Sequence, residues 1–160
     1  TAAPVVSLDP TVLGDLLMGN GDRPYEGAAA AVHIFNPRAH AVSEAIVDAD
    51  LIVLGPGSLY SSVLAPVVPG VAAALQRRSG VLAYVANLSA EPGETDGYDL
   101  DDHIDAVERH GISPDAVIVD ANAYIPGRHQ DRIRTYELVG ALQSAHDPRR
   151  LAAALFDLVS

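Results

Sequence analysis

The run Leu51-Ile52-Val53-Leu54 lies between Asp48-Ala49-Asp50 and Gly55-Pro56-Gly57, and it restricts the fold more than any other stretch. Four consecutive apolar residues cannot alternate between core and water. A strand of this kind needs cover on both faces, as in a parallel sheet with helices on each side. Gly55 and Gly57 permit backbone angles closed to other residues, and Pro56 sets the bend between them. Ser58, Leu59, Tyr60, Ser61 and Ser62 follow as a hydroxyl-rich loop. A buried parallel strand, a glycine turn, such a loop and a helix beyond it form a geometry suited to phosphate, with backbone N–H groups facing the anion. In open α/β sheets, ligands lie outside the carboxyl ends of the strands, where this loop belongs. A plain tight turn accounts equally well for Gly-Pro-Gly. The stretch is not a Walker loop, since no Lys follows the glycines. Nor is it the dinucleotide fingerprint, since Tyr60 stands where the third glycine would be.

The rest of the chain supplies partners for that strand. Residues 41–47 (AVSEAIV) read as a helix leading into it. Residues 69–78 (PGVAAALQRR) read as a helix after it, with Pro69 suited to the first turn, Arg77 and Arg78 to the last, and Gly80 to termination. Residues 81–85 form a second buried strand that ends at Asn87. A long loop, 88–98, precedes an amphipathic helix over 100–110, with Leu100, Ile104 and Val107 on one face and Gly111 as its stop. Residues 116–119 are a third buried strand, followed by a polar loop over 124–132. Residues 133–142 are a last strand region, at an edge of the sheet given its charge. Asp147 as N-cap and Pro148 as first helical residue open the closing helix, 149–159. Strand and helix alternating at this spacing argue a parallel α/β sheet. Residues 1–27 are the least legible: Val5, Val6 and Leu8 suggest a strand, 10–18 a short helix, and 19–22 a turn. Residues 28–35 have the length and polarity of a strand.

Composition narrows the function classes. A chain of 160 residues, 49% hydrophobic, suggests one domain with a sizeable core. The absence of cysteine excludes disulfides and thiolate metal sites and agrees with a cytoplasmic setting. A net charge of −11 argues against nucleic acid and against an anionic membrane surface as partners. No apolar run reaches the roughly 20 residues of a spanning helix, and no signal peptide is evident. The first residue is Thr1 rather than Met, which suggests a fragment or a processed product.

Three loops follow the three parallel strands: 55–62, 87–98 and 120–128. If the strands are neighbours, these loops bring together hydroxyls, two amides (Asn87, Asn122), three carboxylates (Glu91, Glu94, Asp96) and a cation (Arg128). That set suits a ligand bearing phosphate and sugar. Glu94 and Asp96 are a candidate Mg2+ pair beside a diphosphate; a solvated acidic loop is the plainer alternative. His103 lies near the start of its helix, placed either to reach the site or to pack on the neighbouring loop. His110 is placed to meet its helix's terminal carbonyls, and His146 reads as structural. His33 and His40 have no motif around them. No nucleophilic-serine arrangement and no H-E-x-x-H are present, so no catalytic residue is assigned.

GPGSLYSS (residues 55–62), PGETDGY (92–98) with His103 five residues later, and the HDP-x-x-LAAAL ending (146–155) together resemble the YvcK-type gluconeogenesis factors, relatives of the CofD-type 2-phospho-L-lactate transferases. Ser61 stands where that family has Thr, and the hydroxyl is kept. The family's glycine-rich opening motif and its DDGGSSG-like loop have no counterpart in this chain. The resemblance therefore covers residues 28–160 and implies the C-terminal part of a larger Rossmann-like, doubly wound domain, with 1–27 poorly matched.

What the resemblance implies is a regulatory module that binds a nucleotide sugar of the UDP-N-acetylglucosamine kind, tied to gluconeogenic growth, cell shape and cell-wall metabolism. Its ligand would be held by Gly55, Pro56, Gly57, Ser58, Leu59, Tyr60, Ser61 and Ser62 and by Asn87, Glu94, Thr95, Tyr98 and His103. No cofactor is required, with Mg2+ beside a diphosphate as the minor alternative, and the protein is either monomeric or a homo-oligomer. Two alternatives stand beside it: a CofD-like transferase of a phospholactyl group from a nucleotide diphosphate donor, and a structural fragment with no ligand of its own.

Overall fold

The structure, a computed structural model, describes residues 39–123, 126–140 and 145–160. The strands and helix expected within residues 1–35, and the ends of two expected segments at 124–125 and 141–142, lie outside the described residues. Helix α1 (Ala39–Asp48) leads into strand β1 (Leu51–Leu54), the run that anchors the fold. A π-helical turn (Leu59–Leu64), helix α2 (Pro69–Arg77) and strand β2 (Val81–Val85) follow. Helix α3 (Leu100–Arg109), strands β3 (Ala116–Asp120) and β4 (Ile133–Tyr136), and helix α4 (Pro148–Phe156) complete the order.

The four strands form one sheet in the order β1-β2-β3-β4, all parallel, with Leu51 opposite Val81, Ala83 opposite Ala116 and Val117 opposite Ile133. Each strand thus pairs with the next in sequence, and among the described residues β4 lies at an edge, as its charge suggests. All four residues of β1 and all five of β3 are buried, as a sheet covered on both faces requires. Alternate residues feed opposite layers. Ile52, Leu54, Leu82, Tyr84, Val117 and Val119 pack with α1, α2 and α3. Leu51, Val53, Ala83, Val85 and Ile118 pack with Leu151, Ala152, Ala154 and Leu155 of α4.

Several local devices set the boundaries. Gly80 passes so close to the Ala49 and Asp50 carbonyls that a Cβ there would collide with both, while the Val81 amide donates to the Asp50 carbonyl at 2.9 Å. Asp99 and Asp102 form a reciprocal capping box at the start of α3. Asp147 accepts from the amides of Arg149 and Arg150 ahead of Pro148.

Two segments differ from the sequence reading. Residues 59–64, expected as loop and apolar segment, close a π-helical turn in which the Ser62 and Val63 amides both donate to the Ser58 carbonyl at 2.9 Å. Leu59, Val63 and Leu64 then share one buried face. Strand β4 stops at Tyr136 rather than running to 142, because Asp120 pulls the chain out of the ladder. Its Oδ2 accepts from the amides of Leu138 (2.8 Å) and Val139 (3.1 Å). No helix among the described residues is long and apolar enough to cross a membrane.

Candidate functional site

Because the strands are parallel and sequential, the loops after β1, β2 and β3 emerge side by side at one edge of the sheet. A cleft of about 400 Å³ opens there, within the size range of small-ligand pockets. Its walls include Asn87 and Ser89 after β2, Tyr98, Asp99 and His103 at the entry to α3, and Gly127 after β3. Asn87, Tyr98 and His103, chosen from the sequence, meet at this cleft.

The segment from Gly55 to Ser62 does not line the cleft. It stands behind the wall and is sewn to it by three hydrogen bonds. The Gly57 amide donates to Asn87 Oδ1 at 3.1 Å. The Ser61 amide donates to Glu94 Oε1 at 3.0 Å. The hydroxyls of Tyr60 and Tyr98 lie 2.9 Å apart. Gly55 has φ +86°, and a Cβ there would lie 2.8 Å from the Val85 carbonyl oxygen, so only glycine fits. The Gly55–Pro56 peptide is cis. The Ser58 carbonyl anchors the π-helical turn, Leu59 is fully buried, and Ser62 packs its Cβ close to Gly57. Two amides of the glycine turn and the turn after it, those of Gly57 and Ser61, thus meet side-chain oxygens of the neighbouring loop.

That neighbouring loop is organised around Thr95, which is buried. Its amide donates to the Glu91 carbonyl and its hydroxyl accepts from the Glu91 amide, both at 2.9 Å. Burial pushes the Glu94 carboxyl upward, yet the Glu91 side chain and the amides at Ser61 and Tyr60 outweigh it and hold the group below the ordinary carboxylate value. The Oε2 atoms of Glu91 and Glu94 are both buried without a donor. Asp96 Oδ2 accepts from the Gly93 amide at 2.8 Å. Glu94 and Asp96 are therefore each engaged by an amide of these loops. Deeper in, burial above all, with the charge of Glu91 adding to it, pushes the Tyr84 hydroxyl far above its ordinary value.

Tyr98 stacks edge-on against Tyr60 on one side (6.4 Å) and His103 on the other (5.6 Å). Its hydroxyl is raised in pKa first by the hydrogen bond to Tyr60. His103 places Nδ1 2.8 Å from the Asp99 carbonyl, so it both packs on the loop and reaches the cleft. His110 meets the Ala106 carbonyl at 2.8 Å.

The loop after β3 is held differently. Arg128, read from the sequence as a ligand-facing cation, turns onto α3. Its guanidinium pairs with Asp101 (3.3 Å) and Asp105 (2.8 Å), and its amide donates to both Asp101 oxygens. His129 bridges Asp105 and Arg132, and Arg132 pairs with Glu108 at 2.7 Å. Asp105, Glu108 and His129 stand close enough together to ligate a metal, but two arginines already balance their charge. The Arg128 amide bond holds the Asp101 carboxyl well below its usual value; hydrogen bonds from His129 and Arg128 do the same for Asp105. Asn122 serves Asp120, to whose Oδ1 its amide donates at 2.9 Å. Sequence reasoning passed over Ser89, Asp99 and Gly127 as wall residues; the Asp99-x-x-Asp102 capping pattern was the signal for Asp99.

A family model described as 2-phospho-L-lactate transferase CofD matches residues 23–160. A protein of Deinococcus radiodurans, provisionally named a gluconeogenesis factor, is 36% identical over 92% of this chain and 37% of its own length. The gluconeogenesis factor of Halalkalibacterium halodurans is 44% identical over 47% of this chain and 24% of its own length. A crystal structure of a UPF0052-family protein from Bacillus halodurans superposes with a TM-score of 0.64 at 28% identity, covering 73% of this chain and 46% of that one. The chain thus spans less than half the length of these relatives.

Proposed function

The chain belongs to the CofD family, beside relatives that carry the name gluconeogenesis factor, and from that premise we propose that it is the ligand-binding part of a regulatory nucleotide-sugar-binding protein. The observation that carries this reading is the cleft at the carboxyl edge of the parallel sheet, where Asn87, Tyr98 and His103 converge. An amide, a phenol and an imidazole on rigid supports suit the hydroxyl, carbonyl and phosphate oxygens of a ligand such as UDP-N-acetylglucosamine. The segment from Gly55 to Ser62, with Glu94 and Thr95 behind the wall, holds Asn87 and Tyr98 in place and contributes to binding through them. In this reading the protein works in the cytoplasm, needs no Mg2+, and ties ligand level to gluconeogenic growth, cell shape and cell-wall metabolism. Its net charge of −11 disfavours nucleic-acid and membrane partners. A second reading, transfer of a phospholactyl group from a nucleotide diphosphate donor, is favoured by the description of the family model itself.

A thermal-shift titration with UDP-N-acetylglucosamine and with GDP, each with and without Mg2+, tests both. A ligand that binds only the folded chain raises the melting temperature by mass action. A rise selective for the UDP-sugar, lost in Gly57→Val, is the expected result. A response to GDP alone, with multiple turnovers of a phospholactyl donor, would replace the first reading by the second. No response to either nucleotide would sink both.

A further inference from the structure

Asn87 and His103 share one property that the cleft itself does not explain: each has one polar atom tied down inside the protein and the other without a partner among the described residues. The Gly57 amide can only donate, so the Asn87 atom 3.1 Å from it is the oxygen. The Asn87 NH2 group consequently points away from Gly57 and has no partner among the described residues. A carbonyl can only accept, so the His103 nitrogen 2.8 Å from the Asp99 carbonyl carries the ring proton. In the neutral ring, Nε2 is then an acceptor, and it too lacks a partner among the described residues. Both side chains are cleft wall.

Resting on the nucleotide-sugar reading, we infer that Asn87 and His103 form a preset donor–acceptor pair that reads one amide of the ligand, a C=O facing Asn87 and an N–H facing His103. A nucleotide sugar offers that chemistry in two places, the imide edge of uracil and the acetamido group of an N-acetylated sugar. Preset polar groups discriminate strongly, because a ligand lacking the matching atoms leaves them unpaired in the complex. Through its tie to Asn87 Oδ1, the glycine turn sets which way the Asn87 amide faces.

The test is calorimetric binding of UDP-N-acetylglucosamine and UDP-glucose to the whole chain and to three variants. Asn87→Asp keeps an oxygen for Gly57 and replaces the free donor with an acceptor. His103→Asn keeps a donor for the Asp99 carbonyl and lacks the acceptor. His103→Gln restores an acceptor at the Nε2 position. The expectation is a loss of about tenfold or more in affinity for UDP-N-acetylglucosamine with the first two, and substantial recovery with the third. The melting temperature without ligand serves as the control for folding, and the two His103 variants carry the test alone if Asn87→Asp unfolds.

Equal sensitivity of UDP-glucose identifies uracil as the amide that is read. Sensitivity confined to UDP-N-acetylglucosamine identifies the acetamido group. Wild-type binding that the first two variants change by less than twofold overturns the inference and leaves the nucleotide-sugar reading standing. Absence of binding by the wild type overturns both.

Discussion

The two seams at the carboxyl edge of the sheet are built from opposite materials. Between the loops after β1 and β2 the ties are amide to amide oxygen, amide to carboxylate, and phenol to phenol: Gly57 to Asn87, Ser61 to Glu94, Tyr60 to Tyr98. Between the loop after β3 and helix α3 they are ion pairs, Arg128 with Asp101 and Asp105, and Arg132 with Glu108. The first seam fixes orientation, because each bond depends on a direction. The second holds a loop against a helix with opposite charges; the Arg128 side chain is 65% exposed and its partner Asp101 only 12%. Asn87 and Tyr98 of the cleft wall stand on the directional seam, and the ionic seam closes the far wall.

The comparison can be broken most severely at Gly55. Valine there would strain a backbone at φ +86° and drive its Cβ into the Val85 carbonyl. A loss of about 3 kcal/mol or more in unfolding free energy is expected by denaturant titration. A loss under about 1 kcal/mol would mean that the turn can be rebuilt. On the ionic seam the strongest element is the one that is not purely ionic. Asp101→Ala removes the acceptor of the Arg128 amide and should cost about 2 kcal/mol. Arg128→Ala keeps that amide bond and should change stability far less. Equal effects would show that the charge, not the amide bond, holds the loop. Glu94→Ala should cost about 1 kcal/mol, with Glu94→Gln recovering most of it, since a neutral oxygen still serves Ser61.

Acid sharpens the contrast in a third place. Burial pushes the His146 imidazole below its ordinary value, against the pull of the Ala86 carbonyl and Asp120. The unfolded chain then binds more protons than the folded one below about pH 6.5, so stability falls as pH drops from there. Burial of Asp120 works to raise its carboxyl, but the Leu138, Asn122 and Val139 amides hold it low. Its contribution is therefore present above about pH 4 and is lost as acid protonates the native carboxylate. His146→Asn should remove the first decline and leave the second, read by thermal melts across that range; an unchanged first decline would assign it elsewhere. The smallest expected effect is that of salt. Near 1 M, where the Debye length is about 3 Å, hydrogen exchange at the Arg132 amide should quicken relative to that at Gly57, and equal change at both would erase the distinction between the seams.

Much of this architecture could be read directly from the chain. The buried runs at 51–54, 81–85 and 116–119, with Asp147 as a cap, declare their elements through polarity and end chemistry alone. The π-helical turn could not be read that way. Its apolar positions, Leu59, Val63 and Leu64, are four and five apart, and the serines between them are neutral between helix and loop. The early end of β4 depends on Asp120, thirteen residues before that strand begins, which no local pattern reveals. Asn87, Tyr98 and His103, which line the cleft, flank the strand end and the helix cap in the sequence. Arg128 was misjudged because its counter-ions lie on another element. Asp101 and Asp105, four apart on α3, present one acidic stripe, and that stripe was the available signal.

The order β1-β2-β3-β4 also has a consequence for how the protein is made. Each strand after β1 that emerges from the ribosome finds its neighbour already in place, so the sheet grows by templating on its newest edge. Helix α4, which covers Leu51, Val53, Ala83, Val85 and Ile118, is synthesised after all four strands. A nascent chain halted before residue 148 would lack the helix that shields this apolar layer. The interval before residues 148–156 emerge is thus the stage at which a chaperone would find its binding surface.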